Sequence, residues 1–322
     1  MSACTLTMSA PRDALVVIGN FDGVHRGHQA VLEDVARTAR ERSLTPRMLT
    51  FEPHPAVTLG RLAPALLTTL DRKIELCKRH CPGIDVVVRT FTVEFSSQTP
   101  EEFVERVLIG ELGAAAVMVG VNFRFGRRRS GGIGDLEELG KRWGFDTLAE
   151  PLMADSEGAW SSTRVRARIA QGDVEGAQQI LGRPHMVSGI VAQGDKRGRQ
   201  LGFPTCNLHD IREALPGLGV YAVLVDRVEE KRAVALARGV ANLGLRPTVS
   251  PDQREPVLEV HLFDIDQDLY GAELRVHLVS RLRAEQRFPN LEALRTQIAA
   301  DSALARERLA SWEVDTVLGA WA

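Results

Sequence analysis

The chain has 322 residues, more than one compact core usually takes, so two domains are expected. A formal net charge of -2 gives no bulk attraction to nucleic acid or to an anionic membrane, and no apolar run approaches the ~20 residues that span a bilayer. Four unevenly spaced cysteines do not make the disulfide framework of a small secreted domain, so a reducing cytoplasm is the expected location.

Residues 1–13, "MSACTLTMSAPRD", lack a basic start followed by an apolar stretch, so a flexible tail is expected rather than a secretory signal. Leu15 to Ile18 then reads as a strand, and Gln29 to Arg42 as a helix with Leu32, Val35, Ala36 and Ala39 on one face. Met48 to Phe51 is a second strand, Thr69 to His80 a helix and Val86 to Val88 a third strand. "TPEEFVERVL" starts a helix, with Thr99 as N-cap, Pro100 in the first turn and Glu102 closing a capping box. "AAVMVG" is a fourth strand, Asp135 to Gly144 a helix, and Phe145 to Leu148 a fifth strand. Strands that are apolar throughout and alternate with helices imply a parallel sheet covered on both faces, in which ligands bind at the carboxyl ends of strands. Cys77 and Cys81, in "CKRHC", have no second ligand pair at similar spacing to make a zinc site, and are expected as buried or half-buried thiols at a helix end.

The rhythm changes near "LGRPHMVSG", and the domain boundary is placed between Arg183 and Val187. Beyond it, "VLEVHLF" sends Leu258, Val260 and Leu262 one way and Glu259 and His261 the other. "ELRVHLV" likewise opposes Leu274, Val276 and Leu278 to Arg275 and His277. Short alternating strands separated by turn residues point to an antiparallel sheet or small barrel, closed by the helical tail "NLEALRTQIAADSALARERLASW".

"GNFDGVHRGH" lies where the first strand hands over to a helix. His25 and His28, three apart, can share one side of the first turn, whose unpaired N–H groups and positive dipole end suit phosphate. Gly23 and Gly27 would let a phosphate approach the backbone. In "WSSTRVRARI", Ser162 or Thr163 is expected to cap a helix, while Arg164 and Arg166 offer cationic forks for phosphate oxygens. In "GVNFRFGRRRSGG", Asn122, Phe123 and Phe125 could line a planar ligand, and Arg127 to Arg129 form either a solvated patch or a phosphate clamp. "TFEPHP" holds His54 in a proline-stiffened loop. In "GDKRGRQLGFPTCNL", Gly194, Gly198 and Gly202 suit a loop close to a ligand, and Thr205 and Asn207 offer oxygens suited to Mg²⁺. No P-loop pattern is present, so ATP would be held in another way. Glu259 becomes a general base for a hydroxyl if the glycine loop folds over it.

H-x-G-H paired with S-S-T-x-x-R resembles the nucleotidylyltransferase superfamily. From about Leu15 to about Arg306 the ordered motifs, which also include "GVYAV", "GVANLGLRPTV", "LEVHLFDIDQDLYG" and "LRAEQRFPNLEALRTQI", resemble the bacterial bifunctional riboflavin kinase/FMN adenylyltransferase family. The resemblance implies an N-terminal Rossmann-like α/β domain at 14–184 that adenylylates FMN to FAD with ATP. It also implies a C-terminal six-stranded antiparallel β-barrel at 185–322, with a terminal helix, that phosphorylates riboflavin with ATP and Mg²⁺. It assigns ATP binding in the first domain to Gly19, Phe21, Gly23, His25, His28, Ser162, Thr163 and Arg166, the two histidines being catalytic, and flavin binding to Asn122, Phe123, Phe125 and His54. In the second it assigns ATP and Mg²⁺ to Gly194, Lys196, Gly198, Gly202, Thr205 and Asn207, with Thr205 and Asn207 as metal ligands and Glu259 as the base. Three positions depart from the family pattern. Cys206 replaces an alanine, Val121 precedes Asn122 where an acidic residue is common, and His185 stands where Tyr or Phe is usual. Small-molecule substrates, no nucleic acid, no membrane, and a monomer or weak homo-oligomer are expected. Two other readings stay beside this one: a kinase with a weak or vestigial adenylyltransferase, and a flavin- or nucleotide-binding regulator without turnover.

Overall fold

A computed structural model describes residues 12–192, 202–247, 254–316 and 319–321. The chain divides into two compact units, one of residues 1–64 and 70–160 and the other of residues 65–69 and 161–322.

The first unit is a five-stranded parallel sheet in the order β3-β2-β1-β4-β5. Its strands are β1 (Ala14–Ile18), β2 (Thr45–Glu52), β3 (Asp85–Thr90), β4 (Ala114–Gly120) and β5 (Asp146–Glu150). All of β1 is buried, because helices cover both faces of the sheet. Val16 and Ile18 face a core with Val104, Leu108 and Leu136, while Leu15 and Val17 face one with Leu32, Val35 and Leu76. These cores are closed by α1 (Arg26–Arg42), α3 (Leu70–His80) and α6 (Ile133–Trp143). Two single turns, α2 (Pro55–Thr58) and α4 (Val93–Ser96), punctuate the loops after β2 and β3. The capping box at α5 (Pro100–Phe103) forms as the sequence predicts: Thr99 Oγ1 accepts from Glu102 N at 3.2 Å and Thr99 N donates to Glu102 at 2.9 Å. The helix then continues as a π-helix over Val104–Glu111. A small hairpin, β6 (Ala154–Asp155) with β7 (Gly158–Ala159), follows β5.

The second unit opens with α7 (Ser162–Ala170) and α8 (Val174–Leu181). Glu175 of α8 accepts from Ser280 Oγ at 2.7 Å and from Arg281 N at 3.1 Å, which ties the helix pair to the last barrel strand. The barrel is closed and antiparallel, in the order β10-β11-β12-β9-β8-β13. Its strands are β8 (His185–Ala192), β9 (Cys206–His209), β10 (Gly219–Glu229), β11 (Arg232–Pro247), β12 (Arg254–Leu262) and β13 (Glu273–Arg283). Side chains of alternate residues fill so small a barrel, among them the fully buried Tyr221, Val223, Leu258 and Val260. The opposite, outer face, with Val220, Ala222, Leu224 and Val240, packs against Ala305 and Leu309 of the terminal helix α9 (Leu291–Leu309). Arg283 clamps that helix through a forked bond to Asp301, and Arg306 through a second fork to Asp264.

Strand β13 keeps its alternation but departs from the burial expected of it. Arg275 and His277 are buried along with Leu274, Val276 and Leu278. His277 Nε2 pairs with Asp226 at 2.8 Å, and Asp226 also accepts from the Trp321 backbone at 3.0 Å. The chain end thus covers a face that the sequence pattern leaves to solvent. His185 is buried for a similar reason: its Nε2 donates to the Ala214 carbonyl at 2.8 Å and fixes the start of β8. Among the described residues no helix is long and apolar enough to cross a membrane.

Candidate active sites

The loop from β1 to α1 is built by strain and close packing. Phe21 and Val24 have φ of 48° and 38°, and Gly23 has φ of 82°, so three residues bend through the left-handed region in one short turn. The buried His25 takes the N-cap position of α1, and its side chain does not cap the helix. Its ring stacks instead on His28 at 3.7 Å between centroids, and the Phe21 ring lies 4.9 Å from His28. Gly27 makes that stack possible, since a Cβ there would meet the His25 ring at 3.2 Å, and Gly19 likewise leaves room for the Phe21 ring. Both histidines therefore stand at the positive end of a 17-residue helix, at the carboxyl end of the sheet. His54 belongs to the neighbouring loop. Its Nδ1 accepts from Ala56 N at 3.1 Å, and its Nε2 lies 3.2 Å from Asn20 Nδ2.

Lys73, to which the sequence assigns no role, is 4% exposed on α3. Burial pushes its ammonium below the usual lysine range, and the carboxylates of Asp22 and Glu52 oppose that shift. A buried cation beside the loop is the signal that would have found it.

Asn122 is exposed after β4 and Phe123 is half-buried, stacked on Phe125 at 5.6 Å. Phe125 itself is a core residue, 6% exposed and also packed on Phe103. Of the three, Asn122 and Phe123 are the ones open to a ligand. Val121 is exposed, and Arg127 to Arg129 form an exposed turn.

In the second unit, the cap of α7 is Ser161 rather than Ser162 or Thr163: its hydroxyl accepts from Arg164 N at 3.2 Å. The sequence offers three hydroxyls in a row, and only the first has the extended backbone of a cap. Ser162 and Thr163 consequently sit in the first turn. Arg166 Nε donates to the Ala65 carbonyl at 2.6 Å, which fixes the root of its guanidinium.

The barrel aligns the other predicted residues. Asn207 of β9 lies directly opposite Glu259 of β12, and Glu259 lies directly opposite Asn242 of β11. Side chains so paired share one face, about 4.5–5.5 Å apart at Cβ. Phe263, four residues beyond Glu259, packs in the outer cluster, so the row is on the outer face of the barrel. His261, on the same face, donates from Nδ1 to the Pro204 carbonyl at 2.8 Å and holds the segment leading into Thr205 and Asn207 against β12. Asn207 is buried and Glu259 half-buried. Thr205 is exposed and lines a cavity of about 330 Å³ with Val191, Cys206, Leu262, Leu269 and Tyr270. Cys206 projects there as a small apolar group whose thiol burial pushes up to about 11. Gly202 has φ of 85°, as a turn ahead of this segment requires. Gly194, Lys196 and Gly198 lie outside the described residues.

Mg²⁺ takes oxygen ligands and commonly uses only one or two from the protein, with phosphates and water completing its shell. The Thr205 hydroxyl and the Asn207 amide oxygen meet that requirement. Among the described residues there is no cluster of three or more His, Cys, Asp or Glu that would hold an ion without substrate.

Comparison with known proteins covers both units. The FAD synthetase family model matches residues 7–164 and the riboflavin kinase family model matches residues 181–309. The bifunctional riboflavin kinase/FMN adenylyltransferase of Escherichia coli K12 is 40% identical over 301 residues, spanning 92% of this chain and 94% of that protein. The protein of the same description from Haemophilus influenzae is 36% identical over 292 residues, spanning 90% and 92%. A Streptococcus pneumoniae crystal structure titled as a macrolide-efflux protein superposes with a TM-score of 0.81 at 30% identity, covering 94% of this chain and 95% of that one. The chain belongs to the family of bifunctional riboflavin kinase/FMN adenylyltransferases.

Proposed function

We propose that this protein makes FAD in two ATP-dependent steps, riboflavin to FMN and then FMN to FAD. The observation that carries the kinase step is the register that sets Asn207 beside Glu259. In that step the Glu259 carboxylate takes the proton of the riboflavin 5′-hydroxyl as its oxygen attacks the γ-phosphorus of ATP, and ADP leaves. Thr205 and Asn207 orient the phosphates. They would also hold Mg²⁺, which would supply charge neutralisation for the transferring group. The cavity that Thr205 lines, with Asp266, Asp268 and Tyr270 also in its wall, receives the rest of the nucleotide.

In the second step a phosphate oxygen of FMN attacks the α-phosphorus of ATP and pyrophosphate leaves. No protein nucleophile is required, so catalysis consists of positioning and charge stabilisation. The stacked His25 and His28 bind phosphate oxygens at the N-terminus of α1, within the loop shaped by Gly19, Phe21 and Gly23. Ser162, Thr163 and Arg166 support the nucleotide and the departing pyrophosphate, and Asn122, Phe123 and His54 contact the flavin. The functional modules are taken as residues 14–184 and 185–322, working in a reducing cytoplasm as a monomer or weak homo-oligomer.

Purified protein incubated with riboflavin, ATP and Mg²⁺, with products separated over time, should show FMN first and FAD after it. Accumulation of FMN alone would mean that the adenylyltransferase is vestigial, and absence of both would make the protein a binder. His28→Ala should abolish FAD formation from supplied FMN while FMN formation persists, and Glu259→Ala should do the reverse. Loss of both activities in either folded variant would refute separate sites.

A further inference from the structure

The row on the outer face of the barrel has a third member that the kinase mechanism has not used. Asn242 of β11 faces Glu259 on the side away from Asn207. Its neighbourhood is cleared for it. A Cβ on Gly244, two residues on and on the same face, would lie 3.3 Å from Asn242 Nδ2 and 3.0 Å from a carboxylate oxygen of Glu285. The backbone of Gly244 is not in the left-handed region, so space rather than conformation is what the missing side chain provides. Asn242 is half-buried, and among the described residues no hydrogen-bond partner takes its carboxamide.

The order of the row matches the order of atoms in the reaction. Asn207 is on the side of the phosphates, Glu259 is at the hydroxyl that reacts, and Asn242 is next along the same line. Adjacent strands are roughly 4.8 Å apart. A polyol chain laid along the row with its terminal hydroxyl at Glu259 therefore brings a hydroxyl one or two carbons further along to Asn242. A hydroxyl both donates and accepts, and a carboxamide is the uncharged side chain that can answer both.

We infer that Asn242 is a substrate-positioning residue of the kinase, binding a secondary hydroxyl of the riboflavin side chain beside the hydroxyl that Glu259 deprotonates. Gly244 keeps the space that this contact needs. The inference rests on the kinase reading of Glu259, and the test separates the two.

The probes are riboflavin and a flavin whose five-carbon side chain keeps only its terminal hydroxyl, each phosphorylated by the full-length protein. Asn242→Ala should lower kcat/KM for riboflavin by about tenfold, the value of one hydrogen bond, and leave the deoxygenated flavin unchanged. Gly244→Ala, which removes no functional group, should reproduce the selective loss by displacing Asn242. FAD formation from supplied FMN should be unaffected in both variants, and unchanged turnover of the deoxygenated flavin reports that the barrel is folded. Equal losses on both flavins, or no loss on either, would overturn the assignment of Asn242. Glu259→Gln is the separate control: if it retained wild-type kinase activity, the kinase reading itself would fail, whatever Asn242 did.

Discussion

At the scale of single residues, glycines set both sites more sharply than the polar groups they accompany. Gly27 is at the second position of α1, where alanine would favour the helix by roughly 0.5–1 kcal/mol. A methyl there would also press on the His25 ring at 3.2 Å, so the ring must move by a few tenths of an ångström. Gly27→Ala is therefore expected to leave thermal stability equal or slightly higher while FAD formation falls by about tenfold or more. Calorimetry beside the two activity assays reads both effects. A loss of stability together with both activities would mean that Gly27 serves folding. Candidate site residues can be named from the sequence where a motif has fixed spacing, as at His25, His28, Asn207 and Glu259. Lys73 and Asn242 cannot be, because a lysine in a helix and an asparagine in a strand have no special spacing. Only their burial and cross-strand neighbours mark them out.

At the scale of elements, the five parallel strands and the terminal helix follow from hydrophobic period and capping chemistry. Thr99→Ala should cost about 1 kcal/mol at neutral pH by removing one half of the capping box, measurable by urea unfolding. The other half is pH-dependent. The Glu102 carboxyl is held below its usual range, first by the Thr99 backbone N–H. A depressed folded-state pKa contributes stability above the ordinary carboxylate range and loses it as pH falls through the folded value. The difference between wild type and Glu102→Ala should therefore shrink in acid, and a difference independent of pH would contradict the cap. Helix α7 shows where sequence falls short. Three adjacent hydroxyls can all cap on paper, and only backbone geometry selects Ser161. Strand β13 shows the same limit for burial. Arg275 and His277 keep the expected alternation, yet a chain end more than 40 residues away covers them, through a bond from Trp321 to Asp226.

At the scale of the molecule, alternating strands alone leave an antiparallel sheet or a small barrel open, since pairing between distant strands leaves no local trace; the closed six-stranded barrel that the resemblance implies is the one found. The buried pair of His277 and Asp226 supports the docked chain end through Asp226, which bonds both. Removing one partner of such a pair leaves the other polar group buried without compensation. Asp226→Ala should accordingly lower the melting temperature by several degrees and expose Trp321, seen as a red-shifted tryptophan emission. A melting temperature and emission equal to wild type would show that Trp321 docks without it.

The segment Ala65–Thr69 packs with the second unit, where Leu66 bridges to Glu213 and its carbonyl accepts from Ala214 N at 2.6 Å. The polypeptide therefore passes between its two units three times, after residues 64, 69 and 160. No single cut in the gene releases either unit whole. During synthesis, the ribosome delivers five residues of the second unit long before the partners they pair with, so this unit is finished only by reaching back to chain already made.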